Sequence, residues 1–184
     1  MMATTITTLT KKSATVLTDD QAVSTGQYLT FLLSGEVYAL GILNTKEIID
    51  YDYLTEVPMM PAFVRGVINL RGSVVPIIDL LARFGKGMTP IAKRTGIVIV
   101  EIPNDSEDDS QQYIGIIVDV VNEVVDISPQ EIEPAPNFGT GIRPDFINGM
   151  AKRNDRFIIL LNIDRVLSVN EMASLSKTVV DGFV

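Results

Sequence analysis

Cysteine and histidine are both absent from the 184 residues. Their absence excludes a disulfide framework, a Cys/His zinc site, a thiol nucleophile, a Ser/His/Asp triad and a phosphoaccepting histidine. Long apolar runs are missing as well. Hydrophobic residues make up 46% of the chain, but they fall in short β-branched stretches such as Ile97 to Val100 and Phe157 to Leu161, none long enough to span a bilayer. Positive charge is in deficit, with 15 Lys and Arg against 23 Asp and Glu and a formal charge of -8. That balance repels phosphate backbones and anionic lipid, so the expected partners are proteins, with no nucleic acid and no membrane insertion. No phosphate-cradling loop is present either, because Gly85, Lys86 and Gly87 lack the upstream glycine such loops need. The first 26 residues, 1–26, are rich in Thr and Ser, carry Lys11 and Lys12, and lack the apolar stretch of a signal peptide. They read as a flexible cytoplasmic tail.

Strand patterning is what the chain does have. Tyr28 to Leu33 and Glu36 to Ile42 flank Ser34 and Gly35, a spacing that suits a two-residue hairpin. Val67 to Arg71 and Val74 to Ile78 repeat the arrangement around Gly72 and Ser73; Pro76 cannot donate to a ladder and predicts an edge or a bulge there. Gly96 to Ile102 pairs with Tyr113 to Val118 across a loop whose Asp105, Glu107, Asp108 and Asp109 read as solvated. Arg156 to Leu161 is the expected last core strand, after a turn at Asn154 and Asp155. Beyond it Ser168 and Glu171 have capping-box spacing for a short C-terminal helix. Little else looks helical, and the core is large enough to fold without disulfide or metal.

The chain also echoes itself. At a constant offset of 83, Phe63, Val64, Gly66, Val67, Ile77, Ile78, Asp79 and Leu80 correspond to Phe146, Ile147, Gly149, Met150, Leu160, Leu161, Asn162 and Ile163. At an offset of 76, Leu40, Ile42, Glu47, Ile48 and Ile49 fall opposite Ile116, Val118, Glu123, Val124 and Val125. The echo favours two similar β-barrels. Asp79 and Asp119 end Val/Ile runs as phosphoacceptor aspartates do, but no alternating helices follow, so a turn role is expected. No motif selects a pair of carboxylates for acid/base work. Arg71, at a hairpin end, offers a planar fork of five donors suited to a carboxylate or a carbonyl cluster.

The segments Pro61-Ala62-Phe63-Val64-Arg65-Gly66, Asn69-Leu70-Arg71-Gly72 and Val75-Pro76-Ile77-Ile78-Asp79-Leu80 resemble the signature of the CheW family of chemotaxis coupling proteins. Tyr113-Ile114-Gly115-Ile116-Ile117-Val118-Asp119 resembles its second-barrel strand, and Ile132-Glu133-Pro134-Ala135-Pro136-Asn137-Phe138 its proline loop. The resemblance covers residues 27–173 and leaves 174–184 as a tail. It implies an all-β fold of two intertwined five-stranded SH3-like β-barrels with a short C-terminal helix, and a scaffold with no catalysis, no cofactor and no metal. The implied partners are the cytoplasmic tips of chemoreceptors, received in a groove between the barrels, and the regulatory domain of a CheA-type histidine kinase. The implied location is the cytoplasm, recruited to membrane-associated receptor arrays.

Carried over by motif, Thr45, Glu47, Gly66, Arg71, Gly115, Val121 and Val124 resemble receptor-coupling positions, with Glu47 and Arg71 as partners across the groove. Glu133, Asn137 and Phe138 resemble kinase or ring contacts. Two positions depart from the pattern: Thr45 stands where valine is common, and Glu133 where some relatives place arginine. The same domain occurs fused to a receiver domain or at the regulatory end of the kinase, and the tail after Val169 is too short for a receiver. The reading from a different class is a small hydrolase using carboxylates on a β-barrel.

Overall fold

The computed structural model describes residues 26–103, 111–135 and 141–168. The first strands are β1 (Gly26–Leu33), β2 (Glu36–Gly41) and β3 (Thr45–Asp50), followed by β4 (Val64–Leu70) and β5 (Ser73–Asp79). A single helical turn, α1 (Leu80–Arg83), leads to β6 (Gly96–Pro103), β7 (Gln111–Val118) and β8 (Val120–Ile127). The chain continues with β9 (Ile132–Glu133), β10 (Ile147–Arg153), β11 (Arg156–Leu161) and a second turn, α2 (Ile163–Val166). Outside the described residues lie the expected N-terminal tail up to residue 25, the acidic loop at 104–110, Asn137 and Phe138, and the expected C-terminal helix and tail beyond Ser168.

Turn chemistry sets three hairpins. Ser34 and Gly35 have φ of 51° and 83°, Arg71 and Gly72 of 52° and 87°, and Asn154 and Asp155 of 50° and 62°. Two successive left-handed residues make the mirror-image turn whose twist matches paired strands. The second turn therefore sits at Arg71 and Gly72, one residue before the position expected from Gly72 and Ser73. Pro76 also departs from expectation, because β5 is an interior strand between β7 and β4. It is tolerated because pairing with β7 begins only at Ile77, so no ladder bond on that side needs its missing N–H. The nearby irregularity falls on β4, between Val64 and Gly66.

Two sheets result, with orders β8-β1-β2-β11-β10-β9 and β3-β6-β7-β5-β4. The two chain echoes map onto them. The offset of 83 relates β4 and β5 to β10 and β11, down to register shifts at Val64/Gly66 and Ile147/Gly149. The offset of 76 relates β2 and β3 to β7 and β8. Parallel pairing follows the same rule, Ile77 beside Gly115 in one sheet and Leu160 beside Ala39 in the other. The halves are intertwined because β3 leaves β2 through the turn at Ile42–Asn44 and joins the second sheet, while β8 leaves β7 and joins the first. One sheet has six strands rather than five. The extra member is the two-residue β9, and its counterpart in the other sheet is the single bridge Thr55 to Val67.

Burial explains the unbroken apolar runs. On β6, Ile97 and Ile99 point into a small cluster with Leu54, Val75, Ile77 and Ile117, inside their own sheet. Val98 and Val100 point the other way, into a larger core shared with Phe31, Tyr38, Leu40, Phe84 and Phe146. A strand buried on both faces has no reason to alternate. A third cluster, Ala39, Ile127, Ala151, Ile158 and Leu160, fills the first sheet. The largest core thus lies between the sheets, and at roughly 1.5–3 kcal/mol per buried side chain it joins the halves firmly.

The two short helices were not expected from the sequence. Each is started by a side chain at equivalent positions of the echo: Asp79 accepts from the amides of Leu81 and Ala82, and Asn162 from that of Arg165. Each is also tied back by one backbone bond of 2.7 Å, Asp79 to the carbonyl of Phe63 and Asn162 to that of Phe146. Tertiary context, not helical periodicity, makes these turns. Arg83 links the halves: its Nε donates to the carbonyl of Val166 at 2.9 Å, and its guanidinium lies 5.2 Å from the Phe63 ring and 4.8 Å from the Phe146 ring.

Candidate functional site

Arg71 occupies the tip of the β4–β5 hairpin, held there by its left-handed backbone and by Asn69, whose Oδ1 accepts from the Gly72 amide at 2.8 Å. Glu47 lies on β3, at the opposite edge of the same sheet. The two meet through a fork of two bonds, Arg71 Nη1 to Glu47 Oε1 at 2.6 Å and Nη2 to Oε2 at 2.9 Å. This pair brings the two edges together and shows how far the sheet curls. The Arg71 guanidinium holds the Glu47 carboxyl below the usual carboxylate range, chiefly by hydrogen bonding. The Arg71 side chain is 74% exposed, so solvent screens the pair and it can be exchanged for other partners.

Beside it, Lys46 Nζ pairs with Glu101 at 2.8 Å, and that hydrogen bond raises the Lys46 ammonium. Between the two ion pairs lies a depression of about 430 Å³ lined by Lys46, Glu47, Leu70, Arg71, Ile99 and Tyr113, among others. All of these residues belong to the β3–β7 sheet or its hairpin turn. The depression is therefore the mouth of one barrel and not a groove between two.

The remaining residues singled out by sequence are dispersed. Thr45 starts β3, half-buried, and its hydroxyl donates to the carbonyl of Gly41 at 3.4 Å. Gly66 and Gly115 are buried. A Cβ on Gly66 would come within 2.6 Å of the Thr55 carbonyl oxygen, and one on Gly115 within 2.5 Å of Ile77 Cδ1 and 2.8 Å of Ile97 Cγ2. Both glycines allow close packing, and neither presents a surface. Val121 is half-buried on β8 and packs toward the shared core near Gly96, where β6 begins. Val124, on the same edge strand, is 46% exposed. Glu133 is exposed on β9, opposite Met150. The structure thus joins Glu47 to Arg71 and spreads the others over both sheets.

Sequence reading missed Lys46, Glu101, Leu70 and Tyr113 as site neighbours, because only the curl of the sheet gathers them. It also missed the partners of Asp79. This carboxylate is fully buried and bonded to Arg65 Nη1 at 2.7 Å, the Thr89 amide at 2.8 Å and the Thr89 hydroxyl at 2.7 Å. Asp119 does not cap its own turn as expected: its Oδ2 accepts from the amide of Ser34, in the distant β1–β2 turn, at 2.8 Å. Among the described residues, no cluster of three or more His, Cys, Asp or Glu could hold a metal. Among them also, no helix is long and apolar enough to cross a membrane.

Comparison with known proteins places this arrangement. The family described as CheW-like domain matches residues 27–171. Chemotaxis protein CheW of Klebsiella aerogenes is 34% identical over 147 residues, covering 80% of this chain and 84% of the relative. Its namesake in Treponema pallidum is 30% identical over 155 residues, covering 82% and 87%. The crystal structure of the scaffolding protein TtCheW from Thermoanaerobacter tengcongensis superposes with a TM-score of 0.70 at 38% identity, covering 79% of this chain and 90% of that one.

Proposed function

Given that the chain belongs to the CheW-like family and is a scaffold of chemotaxis, we propose that it couples chemoreceptors to a CheA-type histidine kinase without catalysing a reaction itself. It acts in the cytoplasm and is recruited to the receptor arrays at the membrane. The receptor tip is a helical hairpin, and its contacts are Glu47, Arg71, Thr45, Val121 and Val124, with Gly66 and Gly115 shaping the strands beneath. Glu133, Asn137 and Phe138 contact the kinase regulatory domain or the next member of a ring. One observation carries the receptor assignment: Arg71 and Glu47 meet across the curled sheet with the guanidinium exposed. A planar, exposed, pre-oriented fork suits carboxylates and carbonyl groups at a helix end.

The test uses three variants, confirmed as folded by circular dichroism and measured against a receptor-tip fragment and the isolated kinase regulatory domain. Val124→Asp puts an unpaired charge on the apolar contact and abolishes receptor binding. Arg71→Ala weakens it in a salt-dependent way, and Arg71→Lys does not restore it. Kinase binding survives in all three. Normal receptor binding and kinase activation by folded Arg71→Ala would remove Arg71 from the site. Measurable turnover of ester or glycoside substrates by the purified chain would favour the hydrolase reading.

A further inference from the structure

Both sheets carry one irregularity at equivalent points of the echo, filled by different residues. In β10, Ile147 pairs with Leu161 and Gly149 with Leu160, so Asn148 is the extra residue of a bulge. In β4, Val64 pairs with Ile78 and Gly66 with Ile77, which leaves Arg65 at the same point. Packing imposes the glycine that follows each bulge. A Cβ on Gly149 would come within 2.5 Å of Ile132 Cγ2 and 3.0 Å of the Glu133 carbonyl oxygen, as one on Gly66 would meet the Thr55 carbonyl. The residue before the glycine is not constrained in this way. Arg65 reaches to the buried Asp79, whereas Asn148 is exposed and its Nδ2 donates to the Leu161 carbonyl at 3.4 Å, a long bond. Among the described residues Asn148 has no strand partner on either side, because pairing with β9 begins at Met150. It also heads the only Asn-Gly pair in the 184 residues.

We propose that Asn148-Gly149 is a site of spontaneous covalent modification, at which the chain converts its own asparagine to aspartate and isoaspartate when the β9–β10 edge opens. Glycine has no side chain to shield its amide nitrogen. Hydroxide takes the Gly149 amide proton, and that nitrogen attacks Asn148 Cγ. The new C–N bond closes a cyclic imide as the Cγ–Nδ2 bond breaks, and Nδ2 leaves as ammonia with a proton from water. Water then opens the ring with no change of oxidation state: attack at Cγ leaves aspartate, and attack at the Asn148 backbone carbonyl leaves isoaspartate. In the closed barrel the Leu161 carbonyl holds the carboxamide and Ile132 lies against Gly149, and both oppose the rotation that brings the nitrogen to Cγ. The cover is slight, because β9 has two residues and stands at the edge of its sheet. Such an edge opens at less cost than the whole fold. Either product acts on the same sheet. Aspartate removes the donor to Leu161 and sets a carboxylate against its carbonyl, while isoaspartate adds a carbon to the backbone of β10 between β9 and β11. Arg65 cannot close such a ring, so the equivalent bulge of the second sheet is exempt.

The full chain is aged in mildly alkaline buffer, both folded and in urea, and followed by peptide mass spectrometry and by methylation with an isoaspartate-specific methyltransferase. In urea, Asn148 is expected to convert at least tenfold faster than Asn69 or Asn122, which precede Leu70 and Glu123. Folding is expected to slow it at least tenfold without stopping it. Ile132→Ala uncovers Gly149 and is expected to accelerate conversion severalfold in the folded chain. Asn148→Gln, whose longer side chain closes an imide far more slowly, is expected to abolish the isoaspartate signal. Asn148→Asp reproduces one product and is expected to lower the midpoint of urea unfolding. Conversion of Asn148 in urea no faster than that of Asn69 overturns the site. Equal rates in the folded and unfolded chain overturn the control by the edge, as does an unchanged rate in folded Ile132→Ala. An Asn148→Asp variant with the wild-type midpoint overturns the effect on the sheet.

Discussion

Replacing Asp79 by Ala tests whether one buried carboxylate holds the long connection between α1 and β6. Its two oxygens accept from Arg65, Leu81, Ala82 and both donors of Thr89, at 2.7 to 3.4 Å. Thr89 is itself buried, so the substitution strands a buried amide as well as a guanidinium. Removing one partner of a buried ion pair costs about 3–5 kcal/mol. An unmet buried donor adds about 1–3 kcal/mol, and a lost helix cap about 0.5–2 kcal/mol. These costs overlap, and Arg65 keeps 20% of its side chain in solvent, where water can replace the carboxylate. A loss of about 4 kcal/mol is therefore expected, or a fall in Tm of about 8–16 °C at ~2–4 °C per kcal/mol for a chain of this size. The echo supplies the control. Asn162 holds the equivalent position but caps only the Arg165 amide, at 3.4 Å, so Asn162→Ala costs about 1 kcal/mol. Urea denaturation of both variants, with Arg65→Met and the double variant Arg65→Met/Asp79→Ala, measures the coupling between Asp79 and Arg65. If Asp79→Ala costs no more than Asn162→Ala, the latch does not exist as described.

Two further outcomes follow from the site. The Glu47 carboxyl titrates below the 4.5 of an ordinary glutamate because Arg71 bonds its ionised form; NMR of its side-chain carboxyl should show that value return upward in Arg71→Ala. Because the folded-state value is depressed, the pair's contribution is present above the unfolded value and is lost as pH falls through the folded one. The pair should therefore outlast ordinary carboxylates on acidification. Gly115→Ala forces a methyl against Ile77 and Ile97 and should cost about 1–3 kcal/mol of unfolding free energy. Gly66→Ala should cost more, because its obstacle is the rigid Thr55 carbonyl and not a side chain that can turn; equal midpoints in urea would show that the strand shifts instead.

The all-β class, the hairpins and the halving of the chain were legible in the sequence because they depend on local chemistry. Ser34-Gly35 and Asn154-Asp155 tolerate left-handed backbone, β-branched runs favour extended chain, and a duplicated pattern keeps its offsets of 83 and 76 when folded. The exchange of β3 and β8 between sheets was not legible from those patterns. A strand pairs through its backbone, and the side chains of Thr45 to Asp50 do not specify which of two similar sheets they join. The same limit hid α1 and α2, each a single turn held by Asp79 or Asn162 and by a tie to a distant phenylalanine carbonyl. At the site, the sequence singled out Glu47 and Arg71 through resemblance to a family, but their contact depends on the curl that brings opposite edges of one sheet together. Only that curl gathers Lys46, Glu101, Leu70 and Tyr113 around them. Such contacts join residues far apart in the chain, and the free energy that fixes them comes from the shared core between the sheets, which no local stretch of sequence contains.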